Sequence, residues 1–302
     1  MSAGDIAIVT PSFARDFKIC RALNESVLRF LPGTAKHYLF VDRCDLALFR
    51  TLEESRTVVA AIEDVLPHGL LKVPFSKKWW ISTAALYPAK GWLVQQLAKL
   101  SAPHVLKERV VVNMDSDVRF IRPVELSLFI RDGQTRLYRK PGGVVAGMQH
   151  VHWYYNTCQL LGVEADDVLP MNDYVGNMIS WNRELVLEAC ARVQAVTGLP
   201  WHVPFTRKRK VAEQLLYGLY VEKVVGPQSA RVWIDERSWC HTYWGPGPLT
   251  HGNVQRFVAD LRDDDVAFSI EGYTGTDDSV VRAALRLVGQ RTGHPLLESP
   301  SG

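Results

Sequence analysis

The sequence predicts an α/β protein built on a parallel, doubly wound sheet, and three observations predict it. Short apolar β runs over 6–9, 37–41 and within 58–65 alternate with stretches of helical spacing. The first such stretch sets Phe17, Cys20, Leu23, Val27 and Leu31 on one helical face before Pro32-Gly33 ends it. A further apolar run, Val110-Val111-Val112, stops in two carboxylates, Asp115 and Asp117, then resumes at Val118 and Phe120-Ile121. This is the pattern of a buried parallel strand with acids at its carboxyl end, where open α/β sheets bind ligands.

Along the chain, Thr10-Pro11-Ser12 reads as a turn leaving the first strand, and the second strand ends in Asp42. If 91–100 is helical, Trp92, Gln95, Gln96 and Lys99 share one side and Leu93, Leu97 and Leu100 another. That amide-and-ammonium face reads equally as a nucleotide contact or as a solvated surface. The charged, glycine-rich 131–143 suggests a hairpin or lid, and His150 and His152 alternate as along a strand. Asn172 to Asn177 forms a polar loop entering a short apolar strand, after which Asn182 caps a helix. Glu213, Tyr217 and Tyr220 line up at helical spacing opposite Leu215, Leu216 and Leu219, an arrangement suited to a sugar hydroxyl or to a plain salt bridge. The aromatic stretch 239–244 contains His241 and leads into Gly245-Pro246-Gly247-Pro248, while 268–273 suggests a last strand and 289–302 a loosely held tail.

Composition bounds the function classes. With 302 residues, 47% apolar and 22% charged, the chain can bury a sizeable core. A formal charge of +3 is too mild for a dedicated nucleic-acid binder, and leaves room for anionic substrates or lipid head groups. The dense basic run at 207–210 reads as a solvated face or a phosphate contact. Five cysteines without Cys-x-x-Cys spacing read as reduced, mostly buried thiols. With no apolar stretch near the roughly 18 residues of a span and no basic-then-apolar opening, the expected location is cytoplasmic, with peripheral membrane contact left open.

The acids carry the chemistry. Asp-x-Asp triplets recur in solvated turns, but carboxylates set between apolar segments are costly unless a metal or donors compensate them. Two hard oxygen ligands suit Mg²⁺ or Mn²⁺, which share carboxylates with phosphate oxygens and waters.

The Thr10-Pro11-Ser12 segment, the Gly91-Trp92…Gln95-Gln96…Lys99 helix, Asp115-Ser116-Asp117 and the later Glu213…Tyr217-Gly218 together resemble bacterial nucleotide-sugar glycosyltransferases of the GT-A fold, of a surface-polysaccharide type. The resemblance implies an α/β, Rossmann-like mixed sheet flanked by helices in a single domain over 1–287. Within it, about 5–121 would be the nucleotide-sugar half and about 122–275 the acceptor half with a C-terminal metal-site segment, followed by a tail over 288–302. It implies a nucleotide-sugar donor, UDP-sugar favoured, held by Thr10, Pro11, Ser12, Asp42, Gln95, Gln96, Lys99, Asp115 and Ser116, and a glycan or glycoconjugate acceptor, with no nucleic acid partner. It implies Mn²⁺ or Mg²⁺ on Asp115, Asp117 and His241, with Asp173 and Glu213 as candidate bases if the anomeric centre inverts. Asp115-Ser116-Asp117-Val118 also fits the motif of haloacid-dehalogenase-like phosphatases, which carry it on the first strand, and a non-catalytic sugar-nucleotide or glycan-binding protein is a further alternative.

Overall fold

A computed structural model describes residues 5–73, 79–83, 87–208 and 210–296 of the protein. Residues 1–4, Arg209 of the basic run and 297–302 of the expected tail lie outside the described residues. The architecture is mixed α/β: a central, mostly parallel five-stranded sheet is flanked by helices on both faces. Its strands stand in the order Ile179–Asn182, Val110–Asn113, Ile6–Ser12, Lys36–Val41, Thr57–Ala61, and all are parallel except the first. Because Ile179–Asn182 belongs to this sheet, the two expected halves share one set of hydrogen bonds.

Period-two alternation explains the two cores. Ile6, Ile8, Val110 and Val112 pack to one side with Leu23, Val27 and Phe30 of the helix Phe17–Phe30. Ala7, Val9 and Val111 pack to the other, against the helices Gly91–Val105, Gln149–Leu161 and Arg183–Thr197. Both faces are therefore dry, which is why these strands read as continuous apolar runs.

Thr10-Pro11-Ser12 proves to be strand rather than turn. Pairing with Val110–Asn113 ends at Val9, so Pro11 is bonded to a neighbour on one side only, opposite Phe40, where its missing N–H is tolerated. The third strand stops at Ala61 and a helical turn, Ile62–Val65, takes up the rest of the expected β run. Residues 131–138 form the expected hairpin, turning through Asp132 and Gly133, both at positive φ. Asn182 caps its helix as expected, accepting from the Glu184 and Leu185 amides. His150 and His152 sit on the helix Gln149–Leu161 and not on a strand, because Val151, Tyr154, Cys158 and Leu161 supply a helical stripe.

A second sheet of three strands decides where the site lies. The strand Val118–Phe120 pairs with Ala267–Ile270, which pairs in turn with Cys240–Tyr243. The chain thus leaves the central sheet at Asn113 and enters the second sheet at Val118, and Asp115-Ser116-Asp117 is the joint. The helix Asp278–Thr292 covers this second sheet and buries Val288, so order extends into the stretch expected as tail. All five cysteines are free thiols, and only Cys44 is exposed. Among the described residues no helix is long and apolar enough to cross a membrane.

One close approach tests this packing. A Cβ on Gly218 would lie 2.2 Å from the ring of Tyr174, which follows Asp173 directly. Gly218→Ala is expected to destabilise the fold by about 1–3 kcal/mol through overpacking, read as a lowered denaturant midpoint at unchanged slope. A midpoint equal to the parent's would show that the helix and the Asn172–Asn177 loop are not pressed together.

Candidate active site

The joint between the sheets gathers acids from distant parts of the chain. Asp115 is half-exposed and its Oδ1 lies 2.8 Å from the Lys99 ammonium. Lys99 is buried and also reaches Glu213 Oε1 at 3.4 Å. Burial opposes its charge, but Asp115 and Glu213 outweigh that and hold its pKa well above the ordinary lysine value. Lys99 is therefore a fixed cation under the acidic segment, not a side chain reaching into solvent. Gln96, on the same helix, accepts the Glu213 amide through Oε1 at 3.2 Å, while its Nε2 is buried without a hydrogen bond among the described residues. Gln95 is half-buried on that helix.

Asp117 is treated differently. Its Oδ2 accepts the Gly272 amide at 3.0 Å, and its Oδ1 is buried with no hydrogen-bond partner among the described residues. Burial, with the Asp115 charge added, pushes its pKa up to about 6. Facing it is Glu271, which no sequence argument singled out. Burial and the Asp117 charge push Glu271 up to about 8, although Asn177 Nδ2 donates to its Oε1 at 2.9 Å. The signal was present: Ala267–Ile270 is an apolar run ending in an acid, the same pattern that marked Asp115.

A cavity of about 510 Å³ opens beside Asp117 and Glu271, and Arg15, Lys18 and Arg282 line it together with the Gly272 turn. Roughly 300–1,000 Å³ is the size range of small-molecule sites, and cations beside acids suit an anionic ligand accompanied by a metal. The carboxylate set itself fits a hard divalent cation, since one buried oxygen lacks a partner among the described residues and burial with neighbouring like charge raises the pKa of both Asp117 and Glu271. The three carboxylates are not drawn together in the way that Asp42, Cys44 and Asp45 are, the latter being the group of this kind within 4.8 Å among the described residues.

His241 stands elsewhere. Its Nε2 bonds the Phe257 carbonyl oxygen at 2.8 Å and its ring stacks on Phe257 at 4.4 Å. Alternation along Cys240–Tyr243 turns Thr242 instead towards Asn177, at 3.2 Å. Glu271, and not His241, is thus the C-terminal group beside the acidic pair.

The other expected residues divide similarly. Ser12 and Ser116 meet through their hydroxyls at 3.0 Å, at the edge of the joint. Thr10 is fully buried and bonded to His37 Nε2, itself held by Asn24, so its hydroxyl braces the strands. Pro11 lies in the strand beside it, and Asp42 pairs with Lys72 at 2.6 Å at the end of the neighbouring strand. Glu213 is buried against Lys99, which places it behind Asp115. Asp173 is also buried: Oδ1 accepts the Tyr174 and Val175 amides and Oδ2 meets His150 Nδ1 at 2.8 Å.

Residues 5–237 match the model of a family described as "Family of unknown function (DUF6492)". The chain belongs to that family. No curated protein matches it. Among solved structures it is similar to mouse xyloside xylosyltransferase 1 in its apo form, at 11% identity and a TM-score of 0.47, covering 89% of this chain and 99% of that one. It is similar also to the galactosyltransferase LgtC in complex with donor and acceptor sugar analogs, at 12% identity and 0.45, covering 94% and 95%. A third is the apo-form glycosyltransferase GlyE of Streptococcus pneumoniae TIGR4, at 12% identity and 0.41, covering 88% and 54%. These likenesses are loose, and what the site can do follows from its own residues. The phosphatase alternative is not favoured, since several strands precede Asp115 and its carboxylate is tied to Lys99.

The crowded acids make a pH prediction. A carboxyl whose folded pKa is raised adds stability that is full below its unfolded value and is lost as pH rises through the folded one. For Asp117 that loss runs from about pH 4 through about 6, and for Glu271 on through about 8. In chelator, Asp117→Asn should therefore melt about 2–6 °C above the parent at pH 8, with the gain vanishing near pH 4. A pH-independent difference would mean that the charge on Asp117 costs the metal-free fold nothing.

Lys99 predicts the opposite effect. Lys99→Met would leave Asp115 and Glu213 without their cation and should cost about 3–5 kcal/mol, as breaking buried ion pairs does. Calorimetric melting near neutral pH checks this, and parental stability would mean that the pair is fully hydrated.

Proposed function

We propose that the protein is a divalent-metal-dependent glycosyltransferase of GT-A type, moving a sugar from a nucleoside-diphosphate sugar to a hydroxyl of a glycan or glycoconjugate. The observation that carries this reading is the Asp115-Ser116-Asp117 joint, where a buried strand delivers two carboxylates opposite Glu271 and one oxygen of Asp117 has no partner. Asp115 and Asp117, with Glu271 beside them, would hold Mn²⁺ or Mg²⁺. Such a cation, when bound, supplies Lewis acidity to a departing nucleoside diphosphate.

The chain's own residues account for the rest. Lys99 pairs with Asp115 and holds it in place, Glu213 braces Lys99 from the other side, and Gln96 accepts the amide at the start of the Glu213 helix. Ser12 and Ser116 are buried and bonded to each other within the joint, and Arg15, Lys18 and Arg282 give the neighbouring cavity cations that could meet phosphates beside its acids. The donor base favoured is uracil, carried over from the family resemblance. Asp42 and Gln95 would lie towards the outer part of the donor.

The test is turnover. A library of nucleoside-diphosphate sugars, incubated with protein and Mn²⁺, should yield free nucleoside diphosphate from at least one member. Excess chelator should abolish it, and Asp117→Ala should lower it by a hundredfold or more while the fold persists, because one ligand and one oriented charge are lost. Full turnover in chelator removes the metal from the proposal, and binding of a nucleotide sugar without turnover in any condition returns the protein to the binding-module alternative.

A further inference from the structure

Apart from the acidic joint, Trp92, Trp153 and His150 form a stacked aromatic ledge. Trp92, on the helix Gly91–Val105, is 49% exposed. Its ring lies 5.5 Å from that of Trp153, tilted by 33°, and Trp153 in turn stacks on His150 at 4.5 Å and 22°. His150 is held from behind by Asp173, so its ring is fixed in plane while Nε2 has no hydrogen-bond partner among the described residues. Asp173 is itself fixed by two backbone amides and has no oxygen free to act alone.

Two connections set the ledge against the acidic joint. Trp92, Gln96 and Lys99 follow one another along one helical face, with about 10 Å of helix rise from Trp92 to Lys99, whose ammonium meets Asp115. From the other side, the loop that begins at Asp173 reaches Glu271 through Asn177 only four residues later. Flat aromatic faces suit the apolar C–H faces of pyranose rings, and an exposed tryptophan stacked only on its neighbour is a surface awaiting a partner.

We propose that this ledge is the acceptor subsite, that the acceptor is a saccharide stacked on Trp92 and Trp153, and that His150 is its base. The inference rests on the glycosyltransferase reading and adds the acceptor class and the proton's destination. The acceptor hydroxyl is bonded to His150 Nε2. Its proton passes to that nitrogen as its oxygen bonds to the anomeric carbon, and the bond from that carbon to the diphosphate oxygen breaks with its electron pair leaving on the diphosphate. A single displacement of this kind inverts the anomeric centre. Asp173 is a positioning residue that orients the imidazole and stabilises its charged form, the role of the third member in base-orienter pairs.

Transfer is measured with the nucleotide sugar that the library selects and p-nitrophenyl hexopyranosides and pentopyranosides as acceptors. Trp92→Ala should raise the acceptor KM about tenfold, with donor KM and donor hydrolysis within twofold of the parent. His150→Gln should lower kcat for transfer about a hundredfold, with the melting temperature and the calorimetric affinity for the nucleoside diphosphate retained. Parental transfer kinetics in either variant overturns the proposal, as does a parent enzyme that hydrolyses its donor but transfers to no member of the panel. Failure of the parent to bind any nucleotide sugar would instead overturn the glycosyltransferase reading, and this one with it.

Discussion

Like-charge crowding at the joint between two sheets is the constraint on which the rest of this structure depends. Asp115, Asp117 and Glu271 converge there because Val110–Asn113 ends in the central sheet just where Val118–Phe120 begins in the second one. A joint lined with apolar residues would be the more stable solution, since partly buried carboxylates push one another towards the protonated form. The fold tolerates the crowding because both flanking strands are fully buried and paired, so the acids have nowhere to splay.

The two aspartates divide the problem between them. Lys99 sits beneath Asp115 and pairs with Glu213 on its far side, so one ammonium is shared between two acids. Asp117 has only the Gly272 amide and a more distant Arg119, whose guanidinium is occupied with the carbonyl oxygens of Ser116 and Val118. Asp117 and Glu271 both line the neighbouring cavity, together with Arg119. From sequence, Lys99 and Gln96 read equally as a face turned towards a nucleotide or as a solvated surface. Both are buried instead, Lys99 against Asp115 and Glu213 and Gln96 against the Glu213 amide.

The sequence made the central strands and the acidic pair legible because buried parallel strands are continuous apolar runs and any acid that interrupts one stands out. Glu271 carried the same signature but at the end of a short strand in a second sheet, whose contact with Asp117 spans more than 150 residues and has no local trace. His241 was placed by position in the chain, and its burial among Phe257 and Phe268 could not be read from a strand whose alternation starts one residue either way. The histidines at 150 and 152 suggested period two because they are conspicuous. The apolar residues around them, Val151, Tyr154, Cys158 and Leu161, kept period 3.6 and won, because it is the apolar stripe that packs.

One short segment connects the acidic joint with His150, and this follows from its hydrogen bonds. Residues 172–177 carry Asp173, which orients His150, and Asn177, which holds Glu271 beside Asp117. Between them Tyr174 donates to Glu222 at 2.6 Å, and Gly176 exchanges both its backbone groups with the amide of Gln214, the neighbour of Glu213. Glu222 stands in a π-helical turn, Tyr220–Val225, and also receives Arg139 and Asn172. A π turn widens the helix by a residue and is commonly kept where a side chain must be aimed. Here it aims a carboxylate at the segment from behind, so the segment is pinned from the side opposite the acids. One end of the segment thus meets His150, the other meets Glu271, and its middle is clamped, so a few hydrogen bonds tie the imidazole to the acidic joint.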